Sequence, residues 1–185
     1  EEIHEELTDS IMYAQRIQKA VLPTDKYLNN ILNESFVLFK PHSVVSGDFY
    51  WAVSINEWTI FSVADCTGHG VPGAFMSMLG VSFLNEIVQK KEIAKAADVL
   101  NQLRLSVIES LKQKGVEGEQ KDGMDIAFCA INNKTNKMHY SGANNPLYLV
   151  RAKEAPKIEC KRSLEQNNKV LYEVKADPMP IAIHI

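Results

Sequence analysis

One strand-like run of this chain ends in an aspartate and a glycine-bearing turn: Phe61-Ser62-Val63-Ala64-Asp65-Cys66-Thr67-Gly68-His69-Gly70. The run before it also carries an aspartate among apolar residues: Val44-Val45-Ser46-Gly47-Asp48-Phe49-Tyr50-Trp51. A hard divalent cation needs converging oxygen ligands, and glycine lets the backbone come close enough to add a carbonyl. Asp48 and Asp65 therefore predict a metal site that acts on an anionic substrate, and a phosphate is the best candidate.

The composition limits the class of protein. A chain of 185 residues, 45% of them hydrophobic, is long enough for one domain with a sizeable core and an appendage. The net charge of -3 provides no basic footprint for nucleic acid. We see no apolar run long enough to span a bilayer and no signal peptide. Cys66, Cys129 and Cys160 lack disulfide or metal spacing, which favours free thiols and a cytoplasmic location.

The first segment is predicted to be a helix that ends at Pro23. Apolar residues recur every three or four positions, at Leu7, Ile11, Ala14, Ile17 and Val21. Three of them also repeat every seven residues, but two heptads are too few to establish a coiled coil. Two interpretations stay open: a helix packed on its own domain, or a helix that couples an upstream module to it. A homodimer interface on this helix is a hypothesis.

The rest of the chain predicts strands, then helices, then strands. Strand patterns cover residues 36–39, 48–55 and 58–64, with Asn56-Glu57 as a hairpin turn. Helical spacing covers residues 74–89 and 96–114, and a flexible loop is expected over 115–123. Later strands are predicted at 125–131, 137–141, 147–151, 158–161 and 170–174, with a mobile polar stretch over 163–169. Because strands and helices segregate, we expect an α+β fold with antiparallel sheets.

Four short motifs follow one another along the chain. They are Ile17-Gln18-Lys19-Ala20-Val21-Leu22-Pro23, Val45-Ser46-Gly47-Asp48-Phe49-Tyr50, Ala64-Asp65-Cys66-Thr67-Gly68-His69-Gly70-Val71 and Ser141-Gly142-Ala143-Asn144-Asn145-Pro146-Leu147. This set resembles the SpoIIE-like bacterial serine phosphatases, a branch of the metal-dependent type 2C (PPM) phosphatase superfamily. Each motif alone is weak, whereas four in the right order are specific, and the resemblance covers nearly the whole chain from Ile11 onward.

The resemblance implies a two-sheet antiparallel β-sandwich flanked by helices. It divides the chain into an N-terminal linker or switch helix, residues 1–23, and a phosphatase domain, residues 24–185. It implies two Mn²⁺ or Mg²⁺ ions at one edge of the sandwich. The implied reaction is hydrolysis of phosphoserine or phosphothreonine on a small regulatory protein, such as an anti-sigma-factor antagonist, under the control of an upstream sensor or interaction module.

The resemblance also assigns roles to residues. Asp65 would bridge the two metals, the backbone carbonyl of Cys66 would be a further ligand, and Asp48 would act on the cluster directly or through metal-bound water. Asp48 and Asp65 are therefore the expected catalytic residues. Independently of the family, a carboxylate at position 48 inside an apolar strand is costly unless it is paired or metal-bound. Cys66 lacks the arginine-bearing loop of a catalytic thiolate, so we do not expect it to be a nucleophile.

Neighbouring residues carry structural alternatives. Gly47, Gly68 and Gly70 are expected to line the site by allowing unusual backbone geometry. His69 could protonate a leaving oxygen, but we favour a structural role in the turn. Asp125 could face the site or merely begin a strand, and the structural interpretation is favoured.

The sequence departs from the family's pattern in two places and at its end. Ser46 stands where glycine is usual, and Trp51 stands where an acidic residue is usual. The chain stops at Ile185, before the T-D-G or S-D-G segment whose aspartate binds the second metal. We therefore expect a C-terminally incomplete domain and a weak or inactive phosphatase. The alternative class is a non-catalytic module of the same fold that binds a phosphoprotein or forms a dimer.

Overall fold

The computed structural model describes residues 2–90, 95–116, 119 and 121–184. The helices in this part of the chain are α1 (Glu2–Val21), α2 (Asp25–Ile31), α3 (Gly70–Lys90) and α4 (Ala96–Ser110). The strands of the first sheet are β1 (Phe49–Ile55), β2 (Trp58–Cys66), β3 (Met124–Asn132) and β4 (Lys137–Ala143), in the order β1-β2-β3-β4. Those of the second are β5 (Leu147–Ala152), β6 (Arg162–Gln166) and β7 (Lys169–Val174), in the order β5-β7-β6. All pairings are antiparallel, so the predicted α+β fold of two antiparallel sheets with flanking helices is confirmed.

One face of the first sheet forms the core with α3 and α4. Trp51 of β1 stands opposite Ser62 of β2, which stands opposite Phe128 of β3, and all three side chains are buried. The rings of Trp51 and Phe128 stack with their centroids 6.5 Å apart. The Trp51 indole N–H also donates a hydrogen bond to Asn85 Oδ1 on α3, at 2.8 Å. The residue at position 51 therefore joins the sheet to its covering helix.

Helix α3 is the central helix of that covering layer. It contacts α4, α1 and the first two strands, and its Leu84 side chain is fully buried. Among the described residues, the segment Gly70–Gln89 is the one helix whose length and composition would suffice to cross a membrane, and 39% of its most apolar window is buried here. The expectation that no apolar run is long enough is therefore wrong. The buried core helix of a globular domain meets the same criterion, because its apolar residues extend around most of its surface.

Two asparagine turns set the hairpins. Asn56 adopts a φ of +53° between β1 and β2, as predicted for that turn. Asn167 and Asn168 have φ values of +50° and +58°, which fit the primed two-residue turns that join antiparallel strands. They connect β6 and β7, so most of the predicted polar stretch 163–169 forms strands and their turn. The prediction of a strand over 158–161 is wrong, because these residues form no strand. The Asn-Asn pair is the sequence signal that was overlooked.

Three further element predictions need correction. Residues 36–39 form no strand, and Phe36 is 92% exposed, because no neighbouring strand pairs with this apolar run. A short helix, α2, was not predicted although Thr24 caps it by accepting a hydrogen bond from the Tyr27 N–H at 3.2 Å. Helix α4 ends at Ser110 rather than residue 114, since Lys112 takes a φ of +53°. The described residues of the predicted loop 115–123 form neither helix nor strand, and residues 117, 118 and 120 lie outside the description.

Candidate metal centre

The Asp48 and Asp65 carboxyl groups meet at one end of the first sheet. Strands β1 and β2 pair so that Phe49 stands opposite Ala64, which brings the residue before β1 next to the penultimate residue of β2. The two aspartate side chains lie close enough to interact directly. Partial burial, then the charge of Asp48, then hydrogen bonding with Asp48 raise the pKa of Asp65 above its usual value. Two carboxyls in contact repel each other when both ionise, and a cation would relieve that repulsion.

Asp48 is exposed, which changes the argument made from the sequence. Strand β1 begins one residue later, at Phe49, whose ring is buried in the core while the Asp48 side chain is open to water. The prediction that position 48 lies inside an apolar strand, where a carboxylate would be costly, is therefore wrong. What links Asp48 to a cation is its contact with Asp65.

A third carboxylate, Asp125, extends the row. It stands directly opposite Asp65 in the pairing of β2 and β3. The Asn144 Nδ2 group donates a hydrogen bond to Asp125 Oδ1, at 2.8 Å, from the turn that follows β4. One end of the four-stranded sheet is thus lined by Asp48, Asp65, Asp125 and Asn144. The favoured interpretation of Asp125 was merely structural, and its position beside Asp65 makes it a candidate site residue.

Glycines allow the aspartate-bearing segments to approach each other. A Cβ atom on Gly47 would lie 2.7 Å from the Gly68 carbonyl oxygen and 3.3 Å from the Cys66 carbonyl oxygen. A Cβ atom on Gly73 would lie 2.5 Å from that Gly68 oxygen. The segment before β1, the turn after β2 and the first turn of α3 therefore pack backbone against backbone. Gly73 was missed, although glycine within a helix is itself a signal because it weakens helices.

Thr67 anchors the turn after β2 through hydrogen bonds to Gly123. Its backbone N–H donates to the Gly123 carbonyl at 2.9 Å, and the Gly123 N–H donates to Thr67 Oγ1 at 3.0 Å. Within the turn, Gly68 and Gly70 have φ values of +84° and +62°, which favour glycine. This pair of hydrogen bonds fixes the turn to the start of β3. The positions of Asp65 and Asp125 relative to each other are therefore fixed as well.

The part of Cys66 that can contribute to the candidate metal centre is its backbone carbonyl rather than its thiol. Its side chain is buried, and burial, reinforced by the charges of Asp65 and Asp48, raises the pKa of the thiol to about 12. A thiol with that pKa is protonated at neutral pH and is a poor nucleophile. Its carbonyl borders Gly47 and so lies near the segment that carries Asp48.

Two histidines lie beside the turn. The His69 side chain is exposed, and its ring contacts the ring of His42 edge-on, with centroids 5.4 Å apart. His42 comes from the irregular segment before β1 and was not among the predicted site residues. No local sequence signal connects it to His69, since the contact depends on how two separate segments fold together.

The donor set fits one hard divalent cation. Among the described residues, no three His, Cys, Asp or Glu side chains are gathered closely enough to hold a metal by themselves. The paired oxygens of Asp48 and Asp65 nevertheless match the ligands that Mg²⁺ or Mn²⁺ prefers, and Mg²⁺ commonly binds through one or two carboxylates and several waters. The mutual contact of the two acids supplies the uncompensated charge that such an ion would neutralise.

The fold defines the class of this protein. The chain is similar to the SiaA-PP2C domain of Pseudomonas aeruginosa, with a TM-score of 0.75 and 25% sequence identity. The similarity covers 97% of this chain and 64% of that chain, so the present chain spans less than two thirds of its length. A Stage II Sporulation E family protein from Thermanaerovibrio acidaminovorans matches with a TM-score of 0.44 and 14% identity over 55% of this chain and 46% of that one, a likeness too low to support an argument. The architecture is therefore that of a type 2C protein phosphatase.

The sequence comparison gives the family. The profile of Stage II sporulation protein E (SpoIIE) matches residues 56–168, more than half of the chain. No curated protein sequence matches. The chain belongs to the SpoIIE family, and the resemblance inferred from the four motifs is confirmed.

Proposed function

We propose that this chain is a metal-dependent protein phosphatase domain that hydrolyses phosphoserine or phosphothreonine on a regulatory protein. The contact between the Asp48 and Asp65 carboxyl groups, beside a glycine-lined turn, is the observation that supports this most directly. Membership of the SpoIIE family and the type 2C phosphatase fold support the class of reaction.

In this proposal, Asp48, Asp65 and the Cys66 carbonyl hold Mn²⁺ or Mg²⁺. A bound divalent metal lowers the pKa of a coordinated water and neutralises the charge of a phosphate. Asp65 is the central acid of the row, between Asp48 and Asp125, and so is the best placed to contact two ions. Gly68 and Gly70 carry no side chains, so the turn beside the acids presents backbone groups on either side of His69.

We expect the site to bind metal weakly and the reaction to be slow in this chain. Two carboxylates are in contact at the end of the sheet, and the described residues gather no larger set. A second ion would need further ligands, because two carboxylates shared between two ions leave most of their coordination positions to water.

The test measures Mn²⁺ binding by calorimetry and Mn²⁺-dependent release of phosphate from a phosphoserine protein. Wild type should bind Mn²⁺ and release phosphate, and Asp65→Asn and Asp48→Asn should each lose at least tenfold in Mn²⁺ affinity. Asp98→Asn is the control, because that exposed aspartate lies on α4, outside the acidic row. Equal Mn²⁺ affinity in wild type and Asp65→Asn would reject the proposed site.

The proposed substrate is a small phosphoprotein, such as an anti-sigma-factor antagonist, and the proposed controller is a sensor or interaction module upstream in the same chain. Family membership supports both. We also propose that residues 1–23 act as a linker helix and residues 24–185 as the phosphatase domain, since α1 ends at Val21, just before the proline.

A second candidate function, homodimerisation, is favoured by the surface of α1. Ile3 and Ile17 occupy the second apolar position of the heptad that runs through Leu7, Ala14 and Val21. Ile3, Leu7 and Ile17 stay largely exposed, at 82%, 57% and 50%. An apolar seam with this spacing suits a parallel partner helix from a second copy. Sedimentation should show a dimer that Leu7→Ser/Ile17→Ser dissociates, while Tyr13→Ser, which is 64% exposed but off the heptad, leaves it intact. A wild-type monomer at all concentrations would reject this function.

A further inference from the structure

A buried glutamine on α1 contacts the segment that leads to Asp48. Gln18 is 6% exposed, unlike most of the polar residues of that helix. Its Nε2 group donates to the Ser46 carbonyl at 2.6 Å, and its Oε1 atom accepts from the Ser46 N–H at 2.9 Å. One side-chain amide therefore satisfies both backbone groups of the residue two positions before Asp48.

The same amide reaches α3. Gln18 Nε2 lies 2.8 Å from Ser77 Oγ, and Ser77 Oγ in turn lies 3.1 Å from the Ser46 carbonyl oxygen. Both Ser46 and Ser77 are buried, at 4% and 1% exposure. Buried polar groups stabilise a unique arrangement only when their hydrogen bonds are all made, so this network fixes the relative positions of α1, α3 and Ser46.

The network continues to Asp48 itself. The Asp48 N–H donates to Ser46 Oγ at 3.0 Å, so the side chain of the residue that Gln18 holds also holds the backbone of the acid. Between them lies Gly47, which is packed against the Gly68 carbonyl without room for a Cβ atom. The Ser46 hydroxyl thus adds a hydrogen bond to this segment.

We propose that Gln18 is a positioning residue that sets the backbone of residues 46–48 and thereby the place of the Asp48 carboxylate beside Asp65. Gln18 touches neither acid and acts through Ser46. The part of this proposal that concerns metal affinity rests on the proposed function, whereas the part that concerns the backbone does not. A displacement of α1 along its axis would break these bonds and release Asp48.

The test compares Gln18→Met with Gln15→Met in the 185-residue chain. Methionine keeps the length of the side chain but cannot replace its hydrogen bonds. Gln15 is the matched control because it lies one turn earlier on α1 and donates to the Val44 carbonyl, at 2.7 Å, farther from Asp48. Gln18→Asn keeps the amide but shortens the side chain by one methylene, so it should give an intermediate effect, and it also serves if Gln18→Met does not fold.

Two measurements distinguish the positioning of residues 46–48 by Gln18 from a mere contribution of its side chain to packing. Without metal, hydrogen exchange at the Asp48 amide, measured relative to the core Phe128 amide, should accelerate at least tenfold in Gln18→Met and less than twofold in Gln15→Met. The affinity for Mn²⁺ should fall at least tenfold in Gln18→Met alone. If the variants at Gln18 leave the exchange of the Asp48 amide, relative to that of Phe128, at the wild-type rate, the proposal is overturned. If wild type binds no Mn²⁺, the proposed function fails, and the metal-free exchange still decides the role of Gln18.

Discussion

Asp65 of β2 stands directly opposite Asp125 of β3, at the end of the first sheet. Residues in that relationship point to the same face with their Cβ atoms about 4.5–5.5 Å apart, and like charges there destabilise the sheet. Asp65 also contacts Asp48 on its other side. A row of acids at this point costs stability in the absence of a cation, which is the pattern expected of a site kept for binding rather than for folding.

The first prediction concerns that cost. Asp125→Asn removes one negative charge and keeps an oxygen for the Asn144 Nδ2 group. Without metal, we expect the free energy of unfolding to rise by roughly 0.2–1 kcal/mol. With the same excess of Mn²⁺ in each case, the metal-induced rise in Tm should be smaller than in wild type but larger than in Asp65→Asn, because stabilisation of the folded state grows with the logarithm of the metal concentration divided by Kd. Thermal denaturation with and without Mn²⁺ checks both, and a variant that matches wild type in each would count against a role for Asp125.

The second prediction inverts the usual effect of removing a glycine from a helix. Alanine normally stabilises a helix by about 1 kcal/mol relative to glycine. In Gly73→Ala the new Cβ atom would meet the Gly68 carbonyl oxygen at 2.5 Å, and backbone atoms cannot move aside cheaply. We expect a loss of about 1–3 kcal/mol in denaturant unfolding. Ser82→Ala, at an exposed position of the same helix, should stay within about 0.5 kcal/mol of wild type. Stabilisation by Gly73→Ala would show that the backbones of Gly73 and Gly68 have room for a Cβ atom between them.

The third prediction locates the core on one side of α4. Leu103 is fully buried, whereas Leu105, two residues later, is 57% exposed. Leu103→Ala should cost about 2–5 kcal/mol, through lost burial and the cavity left behind. Leu105→Ala should cost less than about 0.5 kcal/mol, as surface changes usually do. Chemical denaturation of both variants gives the comparison, and similar costs would contradict the packing described for α4.

The fourth prediction concerns pH and the second sheet. The hydrogen bond from Arg162, and then the charges of Arg162 and Lys161, lower the pKa of Glu173 below its usual value despite the opposing effect of burial. The ionised Glu173 therefore stabilises the fold fully at pH values above its pKa in the unfolded chain, about 4.3. This stabilisation is lost as the pH falls through the lower pKa that Glu173 has in the folded chain.

The measurement is the difference in Tm between wild type and Glu173→Gln at several pH values. The difference should be largest near pH 7 and should shrink as the pH falls below about 4. Glu165→Gln is the control, because Glu165 pairs with Lys153 at an exposed position and should change Tm little at any pH. A Tm difference for Glu173→Gln that is independent of pH would mean that its charge does not stabilise the sheet.

Local patterns were enough to predict most of the elements. The three- and four-residue spacing of apolar side chains predicted α1, α3 and α4, and the turn at Asn56 predicted the β1–β2 hairpin. Residues 36–39 had a strand-like composition and still formed no strand, because a strand requires a neighbour to pair with. Strand β6 was missed because all five of its residues are exposed, so it has no hydrophobic pattern to recognise.

The sequence by itself determined the candidate acids Asp48 and Asp65, the glycine turn beside them and the family, since these depend on residue types in a fixed order. Only the tertiary structure decided that Asp125 joins the row, that His42 meets His69 and that Gln18 holds Ser46. Each of those contacts joins segments far apart in the chain. They are set by strand register and by the close approach of backbones across glycines, which no local pattern of side chains encodes.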